Sequence, residues 1–323
     1  MAKVLGYEYG KKEVMRTKYG VVSGLWVCAE SQYKKIREKF PSSFDQSGHN
    51  EEVLKGTRRM LLSATERSYL YESLHSKHII RPDGRNIKQF RPIQSHTGFL
   101  ELSNGSSKIT LSDGSECIVS IKAKVVDKAQ EQDLVSVDLE IAGHREDSPY
   151  TLSLTSTLQS LYAKHIPRES LNLTSKFAYK LYIDILVIAT YSHPLTMMSL
   201  ATYLALQSTF LPKLTSSVDD KEIEEQPTFH DYEFVKLQVT VPVIFTVAVI
   251  GENCIIDPSA EEMEVSDNGL IVSWFDGKPI SPMGTVRLSE TNIKSLNPAL
   301  IVKSVDLVSS IANSPWNVQI ILS

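Results

Sequence analysis

Between residues 98 and 142 the chain alternates apolar and polar residues, and this period of two constrains the fold more than any other feature. Lys108–Leu111, Cys117–Val126 and Leu134–Ile141 read as three strands, each with one face for a core and one for water. Ser112-Asp-Gly-Ser115 supplies the turn between the first two. Leu154, Leu158, Leu161 and Tyr162 then recur at helical spacing. Phe177 to Ala189 returns to a strand, with Phe177, Tyr179, Leu181 and Ile183 on one face. Beyond Asp184 both faces read apolar, which predicts a covered sheet centre. Residues 195–210 are apolar almost all round and predict a buried helix.

The second half repeats this order. Phe234 to Val241 alternates, and Val243–Ile250 and Cys254–Asp257 flank a Gly251-Glu-Asn hairpin turn. Leu270–Phe275 and the segment after Asp276-Gly277 form another hairpin, and Pro298 to Ala312 reads as a last helix. Strands then helices, twice over, predict an α+β chain of two related halves, 60–218 and 227–323, rather than a doubly wound sheet.

Composition narrows the function. Residues 1–59 hold 12 Lys and Arg against 7 Asp and Glu, while residues 60–323 hold 22 against 31. An acidic globular part opposes a free-standing nucleic-acid binder, which needs basic surface for phosphates. Residues 1–59 lack periodicity and read as a disordered extension, with Met60 an alternative natural start. Cys28, Cys117 and Cys254 are too few and too scattered for a disulfide framework or zinc site, and fit a reducing compartment. No signal peptide is read, and the apolar run from Val239 to Ile250 is too short to span a membrane. No membrane partner and no cofactor are expected.

Several residues invite a site. Ser63-Ala-Thr-Glu66 is a capping box that opens a helix over 63–76, and Arg81-Pro-Asp-Gly-Arg85 is a turn. His144, Asp147, His230 and Asp231 lack metal-ligand spacing and read as turn residues. The carboxylates of Asp257-Pro-Ser-Ala-Glu261-Glu262-Met263-Glu264 could hold a metal or serve acid–base chemistry, or simply end a strand and cap an exposed helix. In Tyr182–Leu200, Asp184 and His193 bracket a strand-to-helix break at Ser192-His193-Pro194. Ser192 is expected to cap the helix, with Pro194 in its first turn.

Taken in order, Arg81-Pro-Asp-Gly-Arg85, Phe90-Arg-Pro-Ile93, Asn104-Gly-Ser-Ser-Lys108, Leu211-Pro-Lys-Leu214, Pro227-Thr-Phe-His-Asp-Tyr232, Ile256-Asp-Pro-Ser-Ala-Glu-Glu262 and Asn268-Gly-Leu-Ile-Val-Ser273 resemble the ribonuclease PH family, in its exosome branch. The resemblance covers about Met60 to Ala312. It implies two pseudo-symmetric βαβα halves and a place in a six-membered ring of related subunits. With cap subunits, that ring encloses a channel for single-stranded RNA. It also implies work on ribosomal RNA maturation and RNA turnover in nucleus, nucleolus and cytoplasm.

Active members bind phosphate through a Gly-Gly-Thr-Arg-like loop at a helix N-terminus. The corresponding loop is Ser192, His193, Pro194 and Leu195: proline removes an amide donor and leucine stands where the arginine would be. Asp184 matches a strand aspartate of the family, whereas Leu186, Tyr191, Met263 and Gly269 occupy acidic positions. The expectation is a non-catalytic ring subunit. The alternatives are a phosphate-dependent 3′–5′ exoribonuclease, alone or through a composite site with a ring neighbour. Lys108, Lys122, Lys124 and Arg145 are the candidate RNA contacts.

Overall fold

The computed structural model describes residues 62–215, 227–289 and 294–312. The expectations for residues 1–59 and for Met60 lie outside the described residues. The capping box forms: Ser63 Oγ accepts the Glu66 N–H at 3.3 Å, and Glu66 Oε2 accepts the Ser63 N–H at 2.8 Å. It starts helix α1 (Ala64–His75), whose Leu70 and Leu74 are buried against Ile250, Ile255 and Val265.

Strands β1 (Ile93–Thr97), β2 (Gly105–Leu111), β3 (Glu116–Asp127), β4 (Val135–Ile141) and β5 (Phe177–Ala189) form one sheet in the order β1-β2-β3-β5-β4. Only β4 and β5 run parallel. A parallel pair needs a long crossover, here helix α2 (Pro149–His165), which is capped by Ser148 and begins on Pro149. On β5, Ile183, Ile185 and Val187 are buried while Ile188 is 43% exposed. The alternation therefore continues to the strand's end, and the expected two-sided cover beyond Asp184 does not occur.

Helix α3 (Leu195–Gln207) follows β5, and eleven of its residues are buried. It lies between two sheets. Ser107 on β2 donates to the Ala201 carbonyl at 2.6 Å. On the other side Ser199 Oγ accepts the Ile244 N–H and Thr196 Oγ1 accepts the Thr246 N–H, at 3.0 and 2.9 Å. Those partners belong to β8 (Val243–Ile250), which with β9 (Asn253–Ile256), β10 (Asn268–Phe275) and β11 (Lys278–Val286) makes an antiparallel sheet ordered β11-β10-β8-β9. Asp276 and Gly277, with φ of 47° and 73°, form the two-residue turn between β10 and β11. Short helix α4 (Ala260–Val265) joins β9 to β10, and α5 (Pro298–Ala312) covers the sheet with Leu307, Val308 and Ile311. Gly105 sits where α3 ends: a Cβ there would lie 2.2 Å from Thr209 Oγ1.

Between the two sheets in sequence, β6 (Phe210–Leu214) and β7 (Phe229–Lys236) pair, among the described residues, only with each other. The expected strand from Phe234 to Val241 thus ends at Lys236. Its period of two persists without a ladder, because Leu237, Val239 and Val241 still face the core. Each half reads as strands, helix, strands, helix, in an α+β fold of unequal sheets. Among the described residues no helix is long and apolar enough to cross a membrane.

Candidate functional site

The carboxylates after β9 meet three arginines from the segment before β1. Arg81 Nε and Nη2 donate to Glu262 Oε1 and Oε2, both at 2.7 Å, and neither side chain is exposed. Ser259 and Glu262 cap α4 reciprocally, so Glu262 serves as helix cap and as counter-ion at once. Glu262 was expected at an exposed helix start. It is buried instead, because the neighbouring turn delivers a guanidinium that matches both its oxygens.

Asp257, at φ 47°, accepts from the Arg91 N–H, Nε and Nη2 at 2.8, 3.0 and 2.6 Å, and from Arg85 Nη1 at 3.1 Å. Burial alone would push its carboxyl up. The hydrogen bonds and charge of Arg91, with the charge of Arg85, outweigh that and hold it below the usual carboxylate range. The paired carboxylates are therefore saturated by arginine and offer neither a free base nor a ligand set.

The same Arg91 reaches the β5–α3 loop. Its Nη2 donates to Ser192 Oγ at 2.8 Å, which engages the hydroxyl expected to cap α3. Pro194 occupies the cap position with no side-chain cap bond, so that expectation is corrected. The His193 N–H donates to Met263 Sδ at 3.3 Å. A thioether is a weak acceptor, and this contact ties the loop to α4. Met263 packs with Ala248 and Leu288. At Gly269 a Cβ would lie 2.5 Å from Leu288 Cγ and 2.8 Å from Val286 Cγ1, so a larger side chain would have to displace them. Leu195 is buried at the start of α3. The cavity beside the loop, lined by Phe90, Arg91, Ser192, His193 and Asp257 among others, is about 10 Å³, room for about one water.

Asp184 stands apart. It lies five residues before the end of β5, roughly 17 Å of strand, on the open face of the first sheet. Its register partners are Ser120 on β3 and Asp138 on β4. Burial raises its pKa, with Asp138 adding to the rise and Lys122 and Lys124 opposing it. The pairing of Asp184 with His193 suggested by sequence proximity does not form, and Asp184 does not join Met263 and Gly269. Leu186 is half-buried on the same face as Asp184, and Tyr191 is exposed in the loop.

That open face carries three of the four candidate basic residues. Lys122 lies opposite Tyr182, and Lys124 and Lys180 hold their ammonium groups 5.0 and 5.4 Å from the Tyr182 ring centre. Lys108 is tied to Glu116 at 2.6 Å. Arg145 lies in the turn after β4, paired with Asp147, away from this face. Sequence reasoning missed the roles of Arg81, Arg85, Arg91 and Tyr182. Tyr182 could have been found, since two residues from Asp184 along a strand is the same face. Nothing local announced the arginine partners, which lie 166 to 181 residues downstream.

The model of the 3′ exoribonuclease family, domain 1, matches residues 89–212. The chain belongs to the ribonuclease PH family, among its exosome components of the RRP42 type. Saccharomyces cerevisiae exosome complex component RRP42 is 50% identical over 255 residues, covering 78% of this chain and 96% of its own. Schizosaccharomyces pombe exosome complex component rrp42 is 33% identical over 228 residues, covering 64% of this chain and 76% of its own. An archaeal exosome core chain superposes with a TM-score of 0.59 at 20% identity, over 76% of this chain and 92% of that one.

Proposed function

We propose that this chain is a non-catalytic structural subunit of the RNA exosome ring. It would support 3′–5′ RNA processing and degradation by shaping the ring and its channel. One observation carries the non-catalytic reading: in the loop that the family resemblance aligns with the phosphate loop, the amide of His193 is bound to Met263 Sδ. The crowding at Gly269 and the arginine-saturated carboxylates support it. The partners are other ribonuclease PH-like ring subunits, cap subunits and single-stranded RNA in the assembled channel. The locations are nucleus and nucleolus, and also cytoplasm, which imaging of a fluorescently tagged chain tests.

RNA contact is assigned to the open sheet face. Lys122 and Lys124 beside Tyr182 provide cations for phosphates and a ring for a base. Lys108 and Arg145, each held by a carboxylate, contribute less. The test is RNA decay with and without inorganic phosphate, for the purified chain and for the reconstituted ring. No phosphate-dependent decay by the chain alone is expected. Decay that Ser192→Ala or His193→Ala abolishes in a still folded chain would overturn the reading. Activity that arises only with one neighbour would establish a composite site.

A further inference from the structure

The open face of the first sheet is divided by charge, and the division follows its strands. Lys122 and Lys124 stand on β3, and Asp138 and Glu140 stand on β4, with β5 between them. Register sets Lys122 beside Tyr182 and Asp138 beside Asp184, and alternation puts Glu140 on the same face as Asp138. Asp138 and Glu140 are exposed, and Asp184 is half-buried. The other two lysines of the face do not alter this division. Lys108 is paired with Glu116 and Lys180 with Glu131, so each brings its own counter-charge.

The β4 acids are not needed to guard a sheet edge. Edge strands often carry charge to block pairing with another chain, but here helix α2 closes the edge. Gln159 accepts the Val137 N–H at 2.7 Å and donates to the Val135 carbonyl at 2.8 Å. Asp138 Oδ1 accepts the Leu139 N–H at 3.0 Å, a bond that an asparagine oxygen would make as well. Neither task requires negative charge.

The acids are close enough to act on the lysines. With strands about 4.8 Å apart, Asp184 lies about 5 Å across the sheet from β3, and Asp138 and Glu140 about 10 Å. Screening at physiological salt sets in over about 8 Å. Asp184 therefore acts strongly on a phosphate held at β3, and the β4 acids act in part. Burial is the main cause of the raised Asp184 pKa, and Lys122, Asp138 and Lys124 each move it further, so these charges feel one another.

We propose that Asp138, Glu140 and Asp184 confine single-stranded RNA to the β3 side of the open face and keep its hold there weak. The phosphates would follow Lys122 and Lys124 past Tyr182, and a path across β4 would be closed by repulsion. The inference rests on the assignment of RNA contact to this face.

The test uses the reconstituted ring and a single-stranded oligouridylate carrying 4-thiouridine. The readout is the probe concentration that half-saturates cross-linking to this chain, with the cross-linked residues mapped. Asp138→Asn/Glu140→Gln/Asp184→Asn should lower that concentration at least about threefold at low salt. The gain should shrink at high salt, and cross-links should spread onto β4. Asp138→Asn/Glu140→Gln, which leaves the half-buried Asp184 in place, should give part of the gain. Asp306→Asn on the exposed side of α5 should give none. Lys122→Ser/Lys124→Ser should raise the concentration at least about threefold. Acid variants that bind as wild type beside a weakened lysine variant overturn this inference alone. So do an equal gain from Asp306→Asn and wild-type cross-links on β4. A lysine variant that binds as wild type removes the RNA assignment of the face and this inference together.

Discussion

At the scale of single residues, Glu262 is the most constrained position. Its partner Arg81 is fully buried, so removing the carboxylate strands a guanidinium in the interior. Breaking a buried pair this way costs about 3–5 kcal/mol. Glu262→Ala should lower the urea midpoint accordingly, with an unchanged slope. Asp257 adds a pH dependence of definite sign. Its folded pKa is depressed, so its stabilisation is present above about pH 4, the unfolded carboxylate value. It is lost as pH falls through the lower folded value. Gly269→Asp puts back an acid but drives a Cβ into Leu288 and Val286. Overpacking of this kind costs about 1–3 kcal/mol. Calorimetry should show the loss, and phosphorolysis should not appear. Of these residues, the sequence showed Asp257 and Glu262 as paired acids but not that arginines neutralise them. Their partners are a turn motif far away in the chain, and only the tertiary fold brings the two together.

At the scale of elements, the legible parts were those whose causes are local. The capping box at Ser63 and Glu66 lies within one turn, and the structure forms it as read. Ser259 and Glu262 make a second box, and Ser259→Ala should cost about 1 kcal/mol in chemical denaturation. Ser192 shows where local reading fails: its hydroxyl is engaged by Arg91, 101 residues earlier, so α3 starts on Pro194 instead. Strand β5 gives the same lesson. Its apolar end looked covered on both sides, yet Ile188 is exposed, so among the described residues that face of the strand is left uncovered. That face explains Asp184 too. Its raised pKa means the folded chain holds the proton more tightly than the unfolded chain. The penalty therefore grows as pH rises through that raised value. Asp184→Asn should stabilise the protein at neutral pH, and the advantage should vanish below about pH 4, where both forms are neutral. Melting curves across that range decide it.

At the scale of the whole molecule, the repeat of strands and helices suggested two halves, but the contacts tie them into one compact unit. Helix α3 belongs to the first half by sequence, yet it gives Thr196 and Ser199 to the amides of β8. Arg81, Arg85 and Arg91 precede the first sheet and neutralise Asp257 and Glu262 of the second half. Arg67 of α1 likewise pairs with Glu264 at 2.5 Å. A fragment of residues 60–218 would expose one side of an almost wholly apolar helix and take from Arg81 its close counter-ion Glu262. Either defect costs more than a domain of this size can spare, since net stabilities are only about 5–15 kcal/mol. The fragment should therefore lack a near-ultraviolet dichroism signal and aggregate. Co-expression with residues 219–323 should restore a soluble complex that unfolds in one transition. An independently folded, monomeric 60–218 fragment would mean that α3 can be covered without β8, and that the arginine cluster does not hold the halves together.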